Sequence, residues 1–214
     1  MWKYWPLVVF IVQVVAADNT VLGKILEMPK KDVPEPQPYF GLPVNQYAKI
    51  AREIIHHSNE TYLATIASTK PLKGYPVIDK FQVADSVLNE SSTGHINFYI
   101  QKNNPVFANI KKKNEVSAMF SNETKQFNNE TSKWEMNGNR IFIIGYVAQV
   151  PFNTTDGNET MAAIVSRHPD AAPALERLNT ILCRLEIEQV CLPDETFGQI
   201  CLTADDYYYA DVDE

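Results

Sequence analysis

Thr61-Tyr-Leu-Ala-Thr-Ile-Ala-Ser-Thr69 begins the stretch of sequence that decides the fold, and the stretch continues to Phe120. It contains two further β-rich runs, Tyr75-Pro-Val-Ile-Asp-Lys-Phe81 and His95-Ile-Asn-Phe-Tyr-Ile100, each preceded by polar turn residues. Pro105–Lys112 reads as a short helix that begins at its proline, and a fourth strand follows. The order strand, strand, strand, helix, strand predicts an α+β domain that is mainly β.

The side chains of the first strand alternate between two faces, as in the wall of a barrel. Alternate residues point to opposite faces, so Tyr62, Ala64 and Ile66 share one face and the residues between them share the other. Small side chains on both faces predict close packing inside a barrel. Asp79 lies among apolar neighbours in the second strand, and we expect its carboxylate either to be paired or to point to solvent.

The flanking sequence supplies the remaining elements. Val44–His57 has apolar residues at helical spacing and predicts a helix. Ile141–Val150 is the longest β-rich run and is apolar on both faces, which predicts a central strand. Asn158–Arg167 predicts another helix, Ile181–Leu192 a long strand, and Gln199–Leu202 the returning strand of a hairpin.

The connecting segments are polar. We expect an exposed loop at Asp85–Gly94 and a long polar insertion at Ser121–Asn139 that closes at Asn137-Gly138, in which Trp134 is the apolar anchor. Thr203–Tyr208 has the pattern of a helix cap followed by a last helical turn. Asp211–Glu214 is an acidic tail, and we expect it to be frayed.

The N-terminus has the layout of a secretory signal. Residues 1–17 carry Lys3, then an apolar run, then Val15-Ala-Ala17, which predicts cleavage before Asp18. The apolar run is too short to span a bilayer, and no second candidate follows it. Residues 18–42 are rich in proline and predict a flexible leader. The folded domain is expected at 43–210, and the tail at 211–214.

Six sequons for N-glycosylation agree with a secretory route, where about two would be expected by chance. Most fall in predicted loops or at element ends, where a glycan can sit in water. Their asparagines are Asn59, Asn89, Asn122, Asn129, Asn153 and Asn158.

The chain has three cysteines, which leaves one unpaired in an oxidising compartment. Cys191 and Cys201 flank a predicted turn and could meet across a hairpin, although a register change of one residue would place them on opposite faces. Cys183 shares the apolar alternation of its strand and is expected in the core.

Charge and motifs exclude several function classes. The formal net charge of -7 argues against a general nucleic-acid binder. Lys111-Lys-Lys113 falls at a helix end, where cations complement the helix dipole. No phosphate loop, zinc spacing, nucleophile elbow or paired-cysteine redox motif is present.

Three groups of polar residues have simpler explanations than catalysis. His56-His57 cannot both face one metal from adjacent helix positions, and we interpret them as surface or capping residues. His168 ends a helix ahead of a proline. Asp205-Asp206 suits a helix N-terminus, which attracts acidic residues. The sequence therefore names no catalytic, cofactor-binding or metal-binding residue.

Several short motifs, taken in order, resemble one family. They are Leu63–Thr69 with Gly74, Pro76 and Asp79, then Asn158–Thr160, Arg167–Pro169, Phe197-Gly198 and Thr203–Tyr208. The order resembles the split barrel of pyridoxamine-phosphate-oxidase-like flavin proteins, and within that group the CREG family of secreted glycoproteins, named as cellular repressors. The match covers residues 44–209.

The resemblance implies a homodimeric split β-barrel that is secreted or delivered to lysosomes. It also implies a role in growth control or endolysosomal function, with a glycan-reading sorting receptor or a cell-surface receptor as partner. It implies no catalysis. Nuclear DNA binding fits poorly with a signal peptide, six sequons and a negative charge.

A flavin-dependent oxidoreductase is the alternative function. Related flavin enzymes place basic or hydroxyl side chains on the second strand and ahead of the short helix. Here Asp79 stands on the second strand, and Lys102 is the sole basic residue ahead of the helix. A shifted alignment register would make Lys102 or Lys111 a phosphate contact. We expect no flavin to be held. A ligand carrier is a third hypothesis, since a barrel with an apolar groove suits small molecules.

Overall fold

A seven-stranded antiparallel sheet organises the domain in the computed structural model. The structure describes residues 42–122, 124–128, 133–137, 140–194 and 198–210, and at 124–128, 133–137 and 194 it describes the backbone alone. These residues all belong to one of the two units into which the chain divides, Tyr39–Glu214. The signal and leader residues 1–41, Asn129 and the acidic tail lie outside the described residues.

The strands follow the order β2-β1-β4-β7-β8-β3, and β9 pairs with the far end of β8. Every pairing is antiparallel. The long strand β8 therefore has β7 on one side and two strands in succession, β3 and β9, on the other. The strands of this sheet are β1 Glu60–Ile66, β2 Pro76–Gln82, β3 Asn97–Gln101, β4 Glu115–Ser121, β7 Arg140–Val150, β8 Thr180–Asp194 and β9 Gly198–Thr203.

The sheet curls until its two ends meet, which makes it a split barrel. Among the residues that the structure describes, the ladder contact between those ends is the bridge Ala84–Asn97, with a backbone hydrogen bond of 2.9 Å in each direction. The rings of Phe81 and Phe98 pack beside it, with centroids 5.6 Å apart. Beyond the bridge, β2 and β3 separate and leave a cleft.

Short helices cover the barrel. They are α1 Val44–His57, α2 Pro105–Lys112, α3 Thr155–Arg167, α4 Ala172–Leu175, preceded by a 3-10 turn at Pro169–Ala171, and α5 Ala204–Tyr208. The barrel interior is filled by apolar side chains from every wall, among them Leu63, Phe98, Phe120, Ile143 and Leu185, each at most 2% exposed. Burial of these side chains is the main source of stability.

Several sequence predictions are confirmed. The fold class is the predicted α+β split barrel, and α1 and α2 have the predicted bounds. The central position of β7 is also as predicted. Helix α3 begins at Thr155 rather than at Asn158, because the hydroxyl of Thr154 accepts a hydrogen bond from the Gly157 amide at 3.0 Å and so caps the helix earlier.

The polar insertion Ser121–Asn139 has secondary structure that the sequence analysis did not predict. The segment contains a two-stranded hairpin, β5 Thr124–Asn128 paired with β6 Lys133–Asn137. Lys133–Asn137 alternates polar and apolar residues, but Thr124–Asn128 has a single apolar residue and each run is five residues long, so the strand signal in the sequence is weak. The anchoring role of Trp134 concerns a side chain outside the described residues.

A smaller expectation also differs from the structure. The loop Asp85–Gly94 is not wholly exposed, because Asp85 and Ser86 at its start are buried. In α2 the buried positions are Val106 and Asn109. Asn109 is buried because its side-chain carbonyl accepts from the Ser68 amide at 2.8 Å and its amide donates to Thr65 at 3.1 Å.

In the described ranges, no helix combines the length and the apolar character that crossing a membrane requires.

Candidate functional site

The outward face of the sheet carries a contiguous set of large apolar side chains. Cross-strand partners share a face, so the register aligns Ile78 with Ala64, and Tyr62 with Met119 and then Phe142. The apolar side chains of this outer face are 39–70% exposed: Tyr62, Ile66, Ile78, Phe142, Ile144 and Tyr146. Single exposed apolar residues are ordinary, but a contiguous patch on adjacent strands marks an interaction surface.

Charged residues lie at the edges of this outer face. At one edge Lys80 donates to Glu60 at 2.8 Å, and at another Lys113 lies 3.7 Å from Glu115. All four side chains are at least half exposed, so each pair contributes little stability. An apolar centre with a charged rim is the usual anatomy of a protein interface.

The outer face continues along β7 across the centre of the sheet, because the bulge at this point lies in β8, where Glu188 is the extra residue. The register with β8 shifts between Ile144 and Gly145. A Cβ atom at Gly145 would collide with the backbone carbonyl of Glu186. Glycine therefore allows the two strands to approach closely here, and Ile144 and Tyr146 remain on the outward face on either side of it.

The cleft between β2 and β3 is the place where the resemblance puts a flavin phosphate. Part of it forms a cavity of about 310 Å³ lined by Lys80, Phe81, Gln82, Tyr99, Ile100, Gln101 and Asn104. The side-chain oxygen of Asn104 accepts from the Val106 amide at 2.8 Å and thereby caps α2. Its amide donates to the Asp79 carboxylate at 3.3 Å.

These residues do not fit a flavin phosphate. A phosphate dianion would meet the Asp79 carboxylate instead of a cation. The N-terminus of α2 is already capped by the side chain of Asn104. Lys80 borders the cavity, but its ammonium group is paired with the Glu60 carboxylate at 2.8 Å. Lys102 donates to the backbone carbonyl of Leu178 at 3.4 Å, and Lys111 is exposed in the last turn of α2.

A buried polar network closes the end of the barrel near α1. Asp85 is 3% exposed and accepts hydrogen bonds from the Thr93 amide at 3.0 Å and from the Thr93 hydroxyl. Its other carboxylate oxygen lies 3.0 Å from Nδ1 of His56. Arg167 donates to the backbone carbonyls of His56 at 2.6 Å and Ser86 at 2.7 Å.

This network corrects the interpretation of His56. We expected a surface or capping residue, but the structure pairs it with a buried carboxylate from a loop 29 residues away. Helical spacing identifies α1 but does not reveal a partner so distant in sequence. His57, in contrast, is exposed.

The other candidate residues have structural roles. Nε2 of His168 lies 2.9 Å from the backbone carbonyl of Val83 and is buried, so the ring joins α3 to the end of β2. Asp206 and Thr203 form a capping box at the start of α5. Among the described side chains, no group of three or more His, Cys, Asp or Glu is placed to hold a metal ion.

The cysteines separate into a pair and a single residue. Cys191 and Cys201 stand directly opposite each other in the β8–β9 ladder and form a disulfide. The register that the sequence left open is therefore the one that places them on the same face. Cys183 is free and buried, and burial raises the pKa of its thiol to about 12.

Five of the six sequon asparagines fall within the described residues, and their side chains are exposed: Asn59, Asn89, Asn122, Asn153 and Asn158. None of these five lies within β1, β2, β4 or β7, the strands that form the outer face. Glycans on them would therefore leave the strands of the outer face unmodified.

A family model described as "CREG, beta-barrel" matches residues 42–209. The chain belongs to the CREG family. The family model covers the whole barrel and all five helices, so the outer face and the cleft of this CREG protein both lie inside the matched domain. No curated protein sequence matches the chain.

Solved structures share the fold of this CREG protein at low sequence identity. A heme binding protein from Mycobacterium smegmatis has a TM-score of 0.60 and 12% identity, over 79% of this chain and 62% of that one. A protein of unknown function from Agrobacterium tumefaciens has a TM-score of 0.57 and 20% identity, over 82% and 64%. The chain thus spans less than two thirds of the length of these two proteins.

A further neighbour matches over nearly its full length. It is a Clostridium acetobutylicum protein related to a general stress protein, of the pyridoxinephosphate oxidase family, with a TM-score of 0.51 and 11% identity over 77% of this chain and 99% of that one. These likenesses identify the fold as a split barrel of that type.

Proposed function

We propose that this CREG protein is a secreted or lysosomal glycoprotein without catalytic activity, which acts by binding other proteins as a homodimer. The observation that carries the proposal is the outer face, where six large apolar side chains on adjacent strands are 39–70% exposed. An exposed surface of this kind is costly in water unless a partner covers it.

A second copy of the chain is the occupant that we propose for the outer face. A twofold interface brings the same patch of two subunits together, so an apolar face suits it without needing complementary charge. The charged pairs at the edges then form the rim of the interface. The positions of the five described sequon asparagines support this arrangement, because their glycans would not lie on the strands that pair.

The absence of catalysis rests on the cleft. Asp79 and Asn104 stand where the resemblance places the phosphate-binding groups of related flavin enzymes, and the carboxylate of Asp79 disfavours an anion there. A flavin-dependent oxidoreductase is the alternative that this chemistry argues against. The heme binding named for the mycobacterial neighbour does not enter the proposal, because 12% identity indicates only a shared fold.

The biological role follows from the family resemblance. It is growth control or endolysosomal function, with a glycan-reading sorting receptor or a cell-surface receptor as the partner. Such a receptor would bind the glycans or the surfaces that the dimer leaves exposed.

A glycan placed on the outer face tests the dimer. Ile144→Asn combined with Tyr146→Thr creates a new sequon around Gly145, and a glycan there would hold two copies apart. The matched control is Leu178→Asn, which creates a sequon with Asn179 and Thr180 in the turn before β8, where Leu178 is 97% exposed. Ile144→Asn alone separates the effect of the substitution from the effect of the glycan.

We expect the wild-type protein and the Leu178 variant to sediment as dimers at micromolar concentration, and the glycosylated double variant to sediment as a monomer. Far-ultraviolet circular dichroism checks that the double variant is folded. A wild-type protein that sediments only as a monomer contradicts the proposal, as does a folded, glycosylated double variant that remains dimeric.

A further inference from the structure

The last helix carries three consecutive tyrosines in three different environments. Tyr207 is fully buried, Tyr208 is partly buried, and Tyr209 is 85% exposed. The backbone explains the difference: Tyr209 is the C-cap residue of α5, where the chain leaves the helix and turns the side chain away from the barrel. Three chemically identical phenols therefore differ in whether an enzyme can reach them.

The first two phenols are held in the protein. The hydroxyl of Tyr207 donates to the Gly94 carbonyl at 3.1 Å, and the ring lies 6.0 Å from the Arg52 guanidinium carbon. The hydroxyl oxygen of Tyr208 is buried, and its ring packs against His95 with centroids 6.1 Å apart. Any reaction at either oxygen would require α5 to leave the barrel.

Acidic residues surround the exposed tyrosine in sequence. Asp205 and Asp206 precede it, and three more acidic residues follow: Asp211, Asp213 and Glu214. Residues 198–214 contain no Lys, Arg or His. A protein surface that binds this segment must therefore be positively charged, because electrostatic complementarity selects the partner.

We infer that Tyr209 is a site of tyrosine O-sulfation. Enzymes that sulfate tyrosine in the secretory lumen use a nucleotide phosphosulfate as donor, and they act on exposed tyrosines with acidic neighbours. The phenol oxygen of Tyr209 attacks the sulfur, the bond between that sulfur and the bridging oxygen of the phosphosulfate breaks, and the phenolic proton passes to a base of the transferase. The products are an aryl sulfate and the nucleotide phosphate.

The modified chain gains a permanent negative charge at its acidic end. A sulfate ester offers oxygen acceptors that arginine side chains bind as forked pairs. The inference rests on the proposed secretory route, because the donor and the transferase meet their substrates there.

The experiment uses protein secreted from a eukaryotic host. Trypsin cleaves after Arg184 and releases residues 185–214, which contain all three tyrosines and no sequon, so a sulfate on this peptide is not a glycan sulfate. Mass spectrometry of the peptide is compared for the wild type, Tyr209→Phe and the matched control Tyr208→Phe. Resistance to alkaline phosphatase distinguishes sulfate from phosphate on the same oxygen.

We expect one sulfuryl group on the wild-type and Tyr208→Phe peptides and none on the Tyr209→Phe peptide. A secreted, glycosylated wild-type protein without sulfate overturns the inference while the proposed function stands, and so does a group that phosphatase removes. Sulfate that persists in Tyr209→Phe also overturns it.

A second experiment tests whether a sulfotransferase accepts Tyr209, independently of whether the chain is secreted. Protein secreted from chlorate-treated cells, which cannot make the donor, is incubated with a tyrosine sulfotransferase and labelled phosphosulfate. Labelling that depends on Tyr209 supports the inference even if the endogenous chain proves not to be secreted, which would count against the proposed function alone. Failure to label overturns the inference.

Discussion

Asp85 illustrates what single residues contribute in this domain. Its carboxylate is buried and receives hydrogen bonds from Thr93 and a contact from His56, and its backbone carbonyl accepts from the Asn97 amide at 3.2 Å. One residue thus links the end of α1, the following loop and the start of β3. Removing one partner from such a buried network leaves the others unsatisfied, which costs more than the bond itself contributes.

The second residue of interest is His95, which gives the stability a dependence on pH. Burial lowers its pKa, and the nearby positive charge of Arg184 lowers it further, while Glu186, Asp85 and Asp156 oppose the shift. The unfolded chain binds the proton with an ordinary pKa of about 6.5. Between the two pKa values the unfolded state holds more protons, so the free energy of unfolding falls as the pH decreases.

We expect His95→Gln to reduce the loss of stability between about pH 7 and about pH 5. Urea unfolding of the wild type and the variant at the two pH values measures the free energy of unfolding at each pH. The wild type should lose more unfolding free energy on acidification than the variant does. An equal or larger loss in the variant would show that protonation of His95 does not cause the loss of unfolding free energy at low pH.

Asp79 gives a prediction about cofactor binding. The resemblance places phosphate-binding groups on the second strand and ahead of α2, where Asp79 and Asn104 stand, so we expect the wild-type protein to hold no flavin. Protein from a eukaryotic host is mixed with excess flavin mononucleotide, dialysed, and examined by visible absorbance. Stoichiometric flavin absorbance after dialysis would instead favour the oxidoreductase.

At the scale of elements, the sequence predicted those whose periodicity is strong. The bounds of α1 and α2 follow from a proline at the start and apolar residues at helical spacing. The hairpin β5–β6 was missed because its strands are five residues each and mostly polar, which makes a weak strand signal. Strand β8 extends beyond its prediction at both ends, since pairing with two successive strands keeps its backbone hydrogen bonds satisfied.

The β8–β9 ladder leads to a prediction about thiol reactivity. Without reductant, the folded protein should show no reactive thiol, because Cys191 and Cys201 are bonded and the thiol of Cys183 is buried with its pKa raised to about 12. A thiolate is the reactive form, and little of it exists near neutral pH.

In denaturant, one thiol per chain should become reactive, and reduction should raise the number to the three cysteines of the sequence. The titration uses an aromatic disulfide reagent. A Cys183→Ala variant serves as the control and should show none before reduction. Three reactive thiols in denatured, unreduced wild-type protein would be incompatible with the Cys191–Cys201 bond.

The candidate site was less predictable than the elements. The resemblance identified Asp79 and the helix start as the place to examine, and the two-sided apolar pattern of β7 predicted a central strand. The full outer face depends on the register of four strands, and Asp85 reaches His56 only through tertiary structure. No single segment of sequence contains that information.

At the scale of the whole molecule, glycosylation is the prediction to check first. We expect several of the six sequons to be used, and the exposure of the five described asparagines permits it. Enzymatic removal of N-glycans should increase gel mobility while the protein still sediments as a dimer. Unchanged mobility would contradict glycosylation, and dissociation on deglycosylation would assign the glycans a part in the interface.

The isolated bridge between Ala84 and Asn97 is the point at which the barrel closes. In the described part of the chain, two backbone hydrogen bonds fasten the ladder there, whereas β7 and β8 are paired along most of their length. Local opening follows the weakest set of backbone contacts. The barrel should therefore open locally at this bridge, so that β2 and β3 separate while the remaining strand pairs stay hydrogen-bonded.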